Sequence, residues 1–195
     1  MRRVRVTGGF LLVTLWFAAV NGWELLGVVL GAAAVHEAGH CLALKLLGGH
    51  ILGLRLGVFG AELETDCSRL SYGRELLSVL AGPMANLLCA LWLSGQSGTE
   101  TVTGAHMALC IFNLLPVRPL DGGQALYLLA AWLAGPVWGE RTARWSGAIC
   151  GAALSAGLAM VMAGTGGSLW LLPPAAGALA AAWREIRPCK TGKPW

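Results

Sequence analysis

The sequence predicts an all-α integral membrane protein with about six transmembrane helices and a short membrane-associated β-hairpin after the second helix. Three observations lead to this fold class: an apolar composition, six apolar runs, and an uneven distribution of positive charge. The chain has 195 residues, of which 56% are hydrophobic and only 12% charged. Soluble domains average about a quarter charged residues. The composition therefore favours a membrane protein over a soluble one.

The apolar runs give the helix count, because a helix needs about 20 apolar residues to cross the hydrocarbon layer. The first and fourth runs are short or broken. The six runs are residues 8–20, 25–47, 75–93, 102–115 with an extension, 145–163 and 168–183. The first run follows three arginines but has no small-x-small cleavage site before a soluble domain. We interpret it as a retained span and not as a secretory signal.

Positive charge is absent from three of the predicted loops. If the N-terminus is cytosolic, the external loops are residues 21–24, 94–101 and 164–167, and none of the 14 Lys and Arg residues lies in them. This distribution satisfies the positive-inside rule and predicts that both termini are cytosolic. The net charge of +4 is thereby explained by topology. No basic-aromatic patch predicts binding of nucleic acid.

The second apolar run contains the segment AVHEAGH, residues 34–40. On a helix, His36 and His40 lie one turn apart and can bind one Zn²⁺, while Glu37 can take a proton from water at the metal. A buried histidine pair without metal is the alternative. Ionisable side chains within a bilayer cost roughly 2.5–3.5 kcal/mol on insertion scales and usually mark a site. The membrane setting therefore favours the metal site.

A second polar segment, NLLPVRPLDGG, occupies residues 113–123. Its two prolines and two glycines predict a break in the fourth span, and broken backbone at membrane depth occurs only where protein or a water-filled cavity satisfies it. Catalytic zinc typically has three protein ligands, and Asp121 would be the third after His36 and His40. The alternative makes Asp121 a helix cap paired with Arg118.

Residues 49–64 alternate leucine or valine with glycine and arginine. This period of two predicts a short hairpin whose edge could hold an extended substrate by strand addition. An amphipathic loop on the lipid headgroups is the alternative.

Two asparagines and two further histidines remain. Asn113 and Asn86 are candidate substrate-binding residues that could donate hydrogen bonds to the substrate backbone or the oxyanion. Helix–helix hydrogen bonding is the alternative for both. His50 and His106 are expected at the membrane interface and not among the metal ligands.

The motifs together resemble those of the site-2 proteases, which are intramembrane zinc metalloproteases. HEAGH at residues 36–40, NLLP at 113–116, PLDGG at 119–123 and GPMAN at 82–86 are similar to this family's signatures, and the likeness covers about residues 25–133. The resemblance implies a six-span fold, zinc held by His36, His40 and Asp121, and Glu37 as general base. Its implied activity is hydrolysis of a peptide bond near the cytosolic face. A zinc-transporting or non-enzymatic zinc-binding membrane protein is the alternative.

Within the family, the compact layout is most similar to the sporulation-type branch, which processes a membrane-associated pro-sigma factor. We therefore expect a single domain over residues 1–195 in a bacterial cell or forespore membrane, with a pro-sigma factor or anti-sigma-type regulator as substrate. The chain departs from that branch because it ends soon after span six, without the regulatory domain often found there. Partners left open are an inhibitory membrane protein and a second copy of the chain.

Overall fold

The computed structural model describes residues 3–57 and 60–164 of the chain. It contains two compact units, Met1–Leu114 and Leu115–Trp195. The described residues of the first unit form three strands and four helices: β1 (Arg3–Val6), α1 (Gly8–Asn21), α2 (Trp23–Leu47), β2 (His50–Gly57), β3 (Gly60–Asp66), α3 (Tyr72–Leu93) and α4 (Glu100–Asn113). The described part of the second unit has two helices, α5 (Asp121–Ala134) and α6 (Pro136–Gly164).

The helices agree with a membrane protein. Among the described residues, α2, α3 and α6 are long and apolar enough to cross a bilayer, and α1 is a shorter apolar helix. The predicted fourth span is divided, because α4 and α5 have 14 residues each and a non-helical segment separates them. The run at residues 168–183 lies outside the described residues. The total of six spans therefore stays a prediction.

The hairpin predicted after the second helix is present. Strands β2 and β3 pair antiparallel, with Leu54 opposite Leu63, and β1 pairs in parallel with the other edge of β2. The order of the sheet is β1-β2-β3. Strand β1 is not among the predicted elements. Arg3 and Arg5 alternate with Val4 and Val6 in the period of a strand, and the same arginines carry the topology signal.

Small residues let α2 and α3 approach closely. A Cβ atom on Gly39 would lie 2.6 Å from the carbonyl oxygen of Ala81 and 2.9 Å from Cβ of Ala85. Both distances are much shorter than an ordinary van der Waals contact of about 3.5–4.0 Å, so only glycine fits at this position. In membranes, close packing of this kind is a main source of helix association. It fixes the face of α2 that carries His36 and His40 directly against α3.

Candidate metal centre

The second half of α2 carries two histidines whose rings are in contact. His36 and His40 are 6% and 9% exposed, and their Nε2 atoms lie 3.1 Å apart. The rings are edge-on, with an interplanar angle of 80° and 4.7 Å between centroids. The four-residue spacing predicted that the two histidines share one face of the helix, and their Nε2 atoms do lie next to each other.

This geometry fits a zinc ion. Two nitrogens that lie about 2.0–2.1 Å from a tetrahedral zinc are about 3.3 Å apart. The observed separation of 3.1 Å between the two Nε2 atoms is close to that value. A small opening of the pair would admit the metal, so the two imidazoles are suited to be two of its ligands.

The ring of His40 is held from behind by α3. Its Nδ1 lies 2.9 Å from the carbonyl oxygen of Ser78. A carbonyl only accepts hydrogen bonds, so Nδ1 carries the proton and the neutral ring presents the Nε2 lone pair on its other side. A backbone carbonyl is a usual orienting partner for a metal-binding histidine.

The same ring packs on Gly82. A Cβ atom at this position would lie 2.7 Å from both Cδ2 and Cε1 of His40 and would also overlap Nε2. The glycine of the GPMAN segment is therefore required by the space that His40 fills. Its role is packing against the candidate ligand.

We predict that Gly82→Ala weakens zinc binding. The added methyl group pushes the His40 ring away from its position against Ser78, and disturbing the support of a ligand typically costs 10–100-fold in metal affinity. Chelator competition on the purified variant measures the affinity. Gly31→Ala is the matched control, because its Cβ would meet nothing within 4 Å. Equal affinities of the two variants would show that His40 does not need this space.

His36 is held by α3 as well, but through a side chain. Its Nδ1 lies 3.2 Å from Nδ2 of Asn86, and Oδ1 of Asn86 lies 3.0 Å from Nδ1 of His106. Asn86 is 0% exposed and His106 is 5% exposed. His106 is thus buried on α4, and its expected position at the membrane interface stays a prediction. For Asn86, the contacts favour the helix–helix alternative over a substrate contact.

The other residues of the two motifs are placed as follows. Glu37 follows His36 on α2, about 100° further around the helix, and is half-buried. Asn113 is half-buried at the last turn of α4 and donates a hydrogen bond to the carbonyl oxygen of Leu109 at 3.0 Å. His50 is exposed at the start of β2.

Asp121 is the first residue of α5 in the second unit. The N-cap position is Leu120, and Arg118 pairs with Glu140, whose carboxylate oxygens lie 3.0 and 3.2 Å from Nη1. Arg118 therefore has a carboxylate partner in Glu140, and the role of Asp121 stays a prediction. The turn before Asp121 is compact, because a Cβ atom on Gly123 would lie 2.6 Å from the carbonyl carbon of Val117.

Comparison with known proteins agrees with the motif assignment. No family model matches the chain. It is 28% identical over 129 residues to stage IV sporulation protein FB of Bacillus subtilis, covering 59% of this chain and 45% of that protein. It is 26% identical over 110 residues to a Synechocystis sp. protein with the provisional name zinc metalloprotease sll0528, covering 51% of this chain and 29% of that protein. The chain thus spans less than half the length of either relative.

The fold matches a solved structure. The site-2 protease of Methanocaldococcus jannaschii superposes with a TM-score of 0.68, covering 98% of this chain and 94% of that one, at 20% sequence identity. This likeness shows the fold. With the two sequence relatives, it confirms the resemblance to the site-2 proteases and to their sporulation-type members that the motifs predicted.

Proposed function

We propose that this chain, which has the fold of the site-2 proteases, is an intramembrane zinc metalloprotease. The observation that carries the proposal is the pair of buried imidazoles on α2, whose Nε2 atoms lie 3.1 Å apart while Ser78 and Asn86 hold the opposite sides of the rings. Glu37 follows the first of them in the sequence and lies about 100° further around α2. A site that only bound or transported zinc would have no use for this carboxylate.

Asp121 is the third ligand in this proposal. Its support is chemical and comes from the sequence: a catalytic zinc site takes three protein ligands, and Asp121 lies in the PLDGG motif. Two neutral histidines and one carboxylate leave one formal positive charge on the centre, which favours ionisation of water there. Asp121 is the first residue of α5 and follows a compact turn.

Zinc, when bound, would polarise the scissile carbonyl and lower the pKa of water towards about 7. Glu37 accepts a proton from the attacking water and transfers it to the nitrogen of the leaving amine. The C–N bond breaks as this proton arrives, which releases a carboxylate and an amine. Asn113, near the broken segment, would hydrogen-bond the substrate backbone during attack.

Substrate is proposed to bind as an extended strand. A helical segment hides its peptide carbonyls in its own hydrogen bonds, so it must unwind before hydrolysis. β1 covers one edge of β2, and β3 is the outer strand on the opposite side of the described sheet. The outer edge of β3 could pair with one strand of substrate through backbone hydrogen bonds.

The substrate class follows from the membrane setting and from the sporulation-type relative. We propose a membrane-associated protein, either a pro-sigma factor or an anti-sigma-type regulator. His40 lies seven residues before the end of α2 at Leu47, which is about 10 Å along the helix. If that end faces the cytosol, water reaches the site from there and the product leaves there.

We predict that the segment between α2 and α3, which contains the hairpin, is on the cytosolic side. A reporter fused after Ser71 or Arg141 should give a cytosolic signal, and one fused after Ser97 an external signal, because all 14 Lys and Arg residues avoid the predicted external loops. Paired fusions to alkaline phosphatase and a fluorescent protein measure this. An external signal at Ser71 would contradict both this orientation and a cytosolic substrate, but not the zinc chemistry.

The activity is tested with the purified full chain in liposomes, loaded with zinc and given candidate membrane-tethered pro-sigma or anti-sigma proteins. Cleavage that stops on chelation and returns with zinc supports the proposal. Zinc binding without cleavage of any candidate, together with zinc flux across the liposome, would favour the transporter alternative.

A further inference from the structure

We propose that His106 is a positioning residue of the metal centre and that it acts on His36 through Asn86. This inference rests on the proposed function in one respect, namely that His36 is a metal ligand. A row of hydrogen-bonded side chains crosses three helices, from His106 on α4 through Asn86 on α3 to His36 on α2. Its heavy-atom distances are 3.0 Å and 3.2 Å.

Because the row is buried, its side chains must satisfy one another's hydrogen bonds. Asn86 is fully buried, and His106 is 5% exposed. A buried amide or imidazole must find its hydrogen-bond partners within the protein, since bulk water is excluded. The orientation of each group in the row is therefore set by its neighbour, and a change at His106 is transmitted to the amide that contacts His36.

The protons along the row have two consistent arrangements. In one, Nδ2 of Asn86 donates to Nδ1 of His36, whose proton is then on Nε2, and Nδ1 of His106 donates to Oδ1. In the other, a 180° rotation of the amide exchanges its two ends. His36 then donates from Nδ1 to the amide oxygen, and the amide nitrogen donates to Nδ1 of His106. Both arrangements use nearly the same heavy-atom positions.

Only the second arrangement suits a metal ligand. A neutral His36 that offers Nε2 to zinc carries its proton on Nδ1, so it needs an acceptor there, and Asn86 supplies one only through its oxygen. The amide nitrogen must then donate to Nδ1 of His106, which requires the proton of His106 on Nε2. His106 meets this requirement because its Nδ1 can accept as well as donate.

The isosteres of histidine provide a sharp test. The side-chain oxygen or nitrogen of asparagine is two bonds from Cβ, as is Nδ1 of histidine, whereas the amide end of glutamine corresponds to Nε2. His106→Asn therefore keeps a partner for Asn86, and His106→Gln does not. His106→Leu fills a similar space with no hydrogen bond. Of the three variants, only His106→Asn should preserve the row.

The experiment measures zinc affinity of the purified full chain by chelator competition and records the visible absorption of the cobalt-loaded protein. We expect His106→Leu and His106→Gln to lower zinc affinity by about tenfold, the lower end of the range for outer partners of a ligand, and to shift the cobalt bands. His106→Asn should stay near the wild-type values. In an Asn86→Ala background, His106→Leu should have no further effect, because the path to His36 is already cut.

Wild-type affinity for His106→Leu would overturn the inference, as would Gln outperforming Asn or an undiminished effect in the Asn86→Ala background. If His106→Leu does not fold, the comparison of Asn with Gln decides. The proposed function is judged separately by zinc binding of the wild-type chain and its loss in His40→Ala. A wild-type chain that binds no zinc overturns both proposals, whereas unchanged affinity in the His106 variants overturns only this one.

Discussion

Glu37→Gln is expected to reduce peptide hydrolysis by about 10²–10⁴-fold, which is the contribution that a general acid–base residue typically makes. Glutamine has the size of glutamate but cannot accept a proton from water at neutral pH. Because His36 and His40 keep their positions and partners, the variant should retain its zinc. Cleavage of a tethered substrate in liposomes and metal analysis of the same sample measure the two effects.

Glu24→Gln is the matched control. This residue lies in the first turn of the same helix α2 and is exposed. It should leave both zinc content and cleavage unchanged. Loss of zinc from Glu37→Gln would mean that Glu37 is a ligand, and full activity in that variant would mean that another group moves the proton.

The local features of the fold were largely predictable from the sequence. The apolar run at residues 25–47 corresponds to α2, which ends where Gly48 adopts the left-handed conformation with φ of 90°. Glycine is the usual residue at such a helix end. The hairpin followed from the alternation of leucine and glycine, and the break after α4 followed from two prolines. Each of these signals lies within a few residues of the feature it predicts.

The residues that support the candidate metal site were not predictable in the same way. The partner of His40 is the backbone carbonyl of Ser78, and every residue has such a carbonyl. The partner of Asn86 is His106, which is 20 residues away on another helix. Such pairs are decided by how helices pack, and local sequence carries no record of packing. The one available signal for His106 was its polarity in an apolar helix.

The same distinction applies to glycine. Gly82 is visible in the sequence as part of GPMAN. A glycine is needed there because the imidazole of His40, 42 positions earlier, fills the space where a side chain would lie. Gly31 and Gly104 are identical in type and meet nothing within 4 Å. Only the packed structure separates a glycine that a site requires from one that it does not.

Asp121→Asn is expected to lower zinc affinity by more than about 100-fold, above the usual effect of losing an outer-shell partner, because the substitution weakens a direct ligand and removes its charge. Hydrolysis should fall with it. Asparagine keeps the shape of aspartate, so α5 should still form. Chelator competition gives the affinity, and a cleavage assay with excess zinc shows whether bound metal restores activity.

A loss of stability must be separated from a loss of metal binding, because Asp121 lies in the first turn of a helix. An acidic side chain there interacts favourably with the helix dipole by about 0.3–1 kcal/mol. Its replacement lowers the stability of the protein by that amount whether or not the residue binds a metal. Glu100 occupies the first turn of α4, is exposed and accepts a hydrogen bond from the backbone N–H of Gly98, so Glu100→Gln also removes a negative charge from a helix N-terminus. Both variants should show small, similar drops in Tm of the zinc-free protein, but only Asp121→Asn should lose zinc. Equal zinc affinities would limit Asp121 to the helix dipole and leave the third ligand to another group.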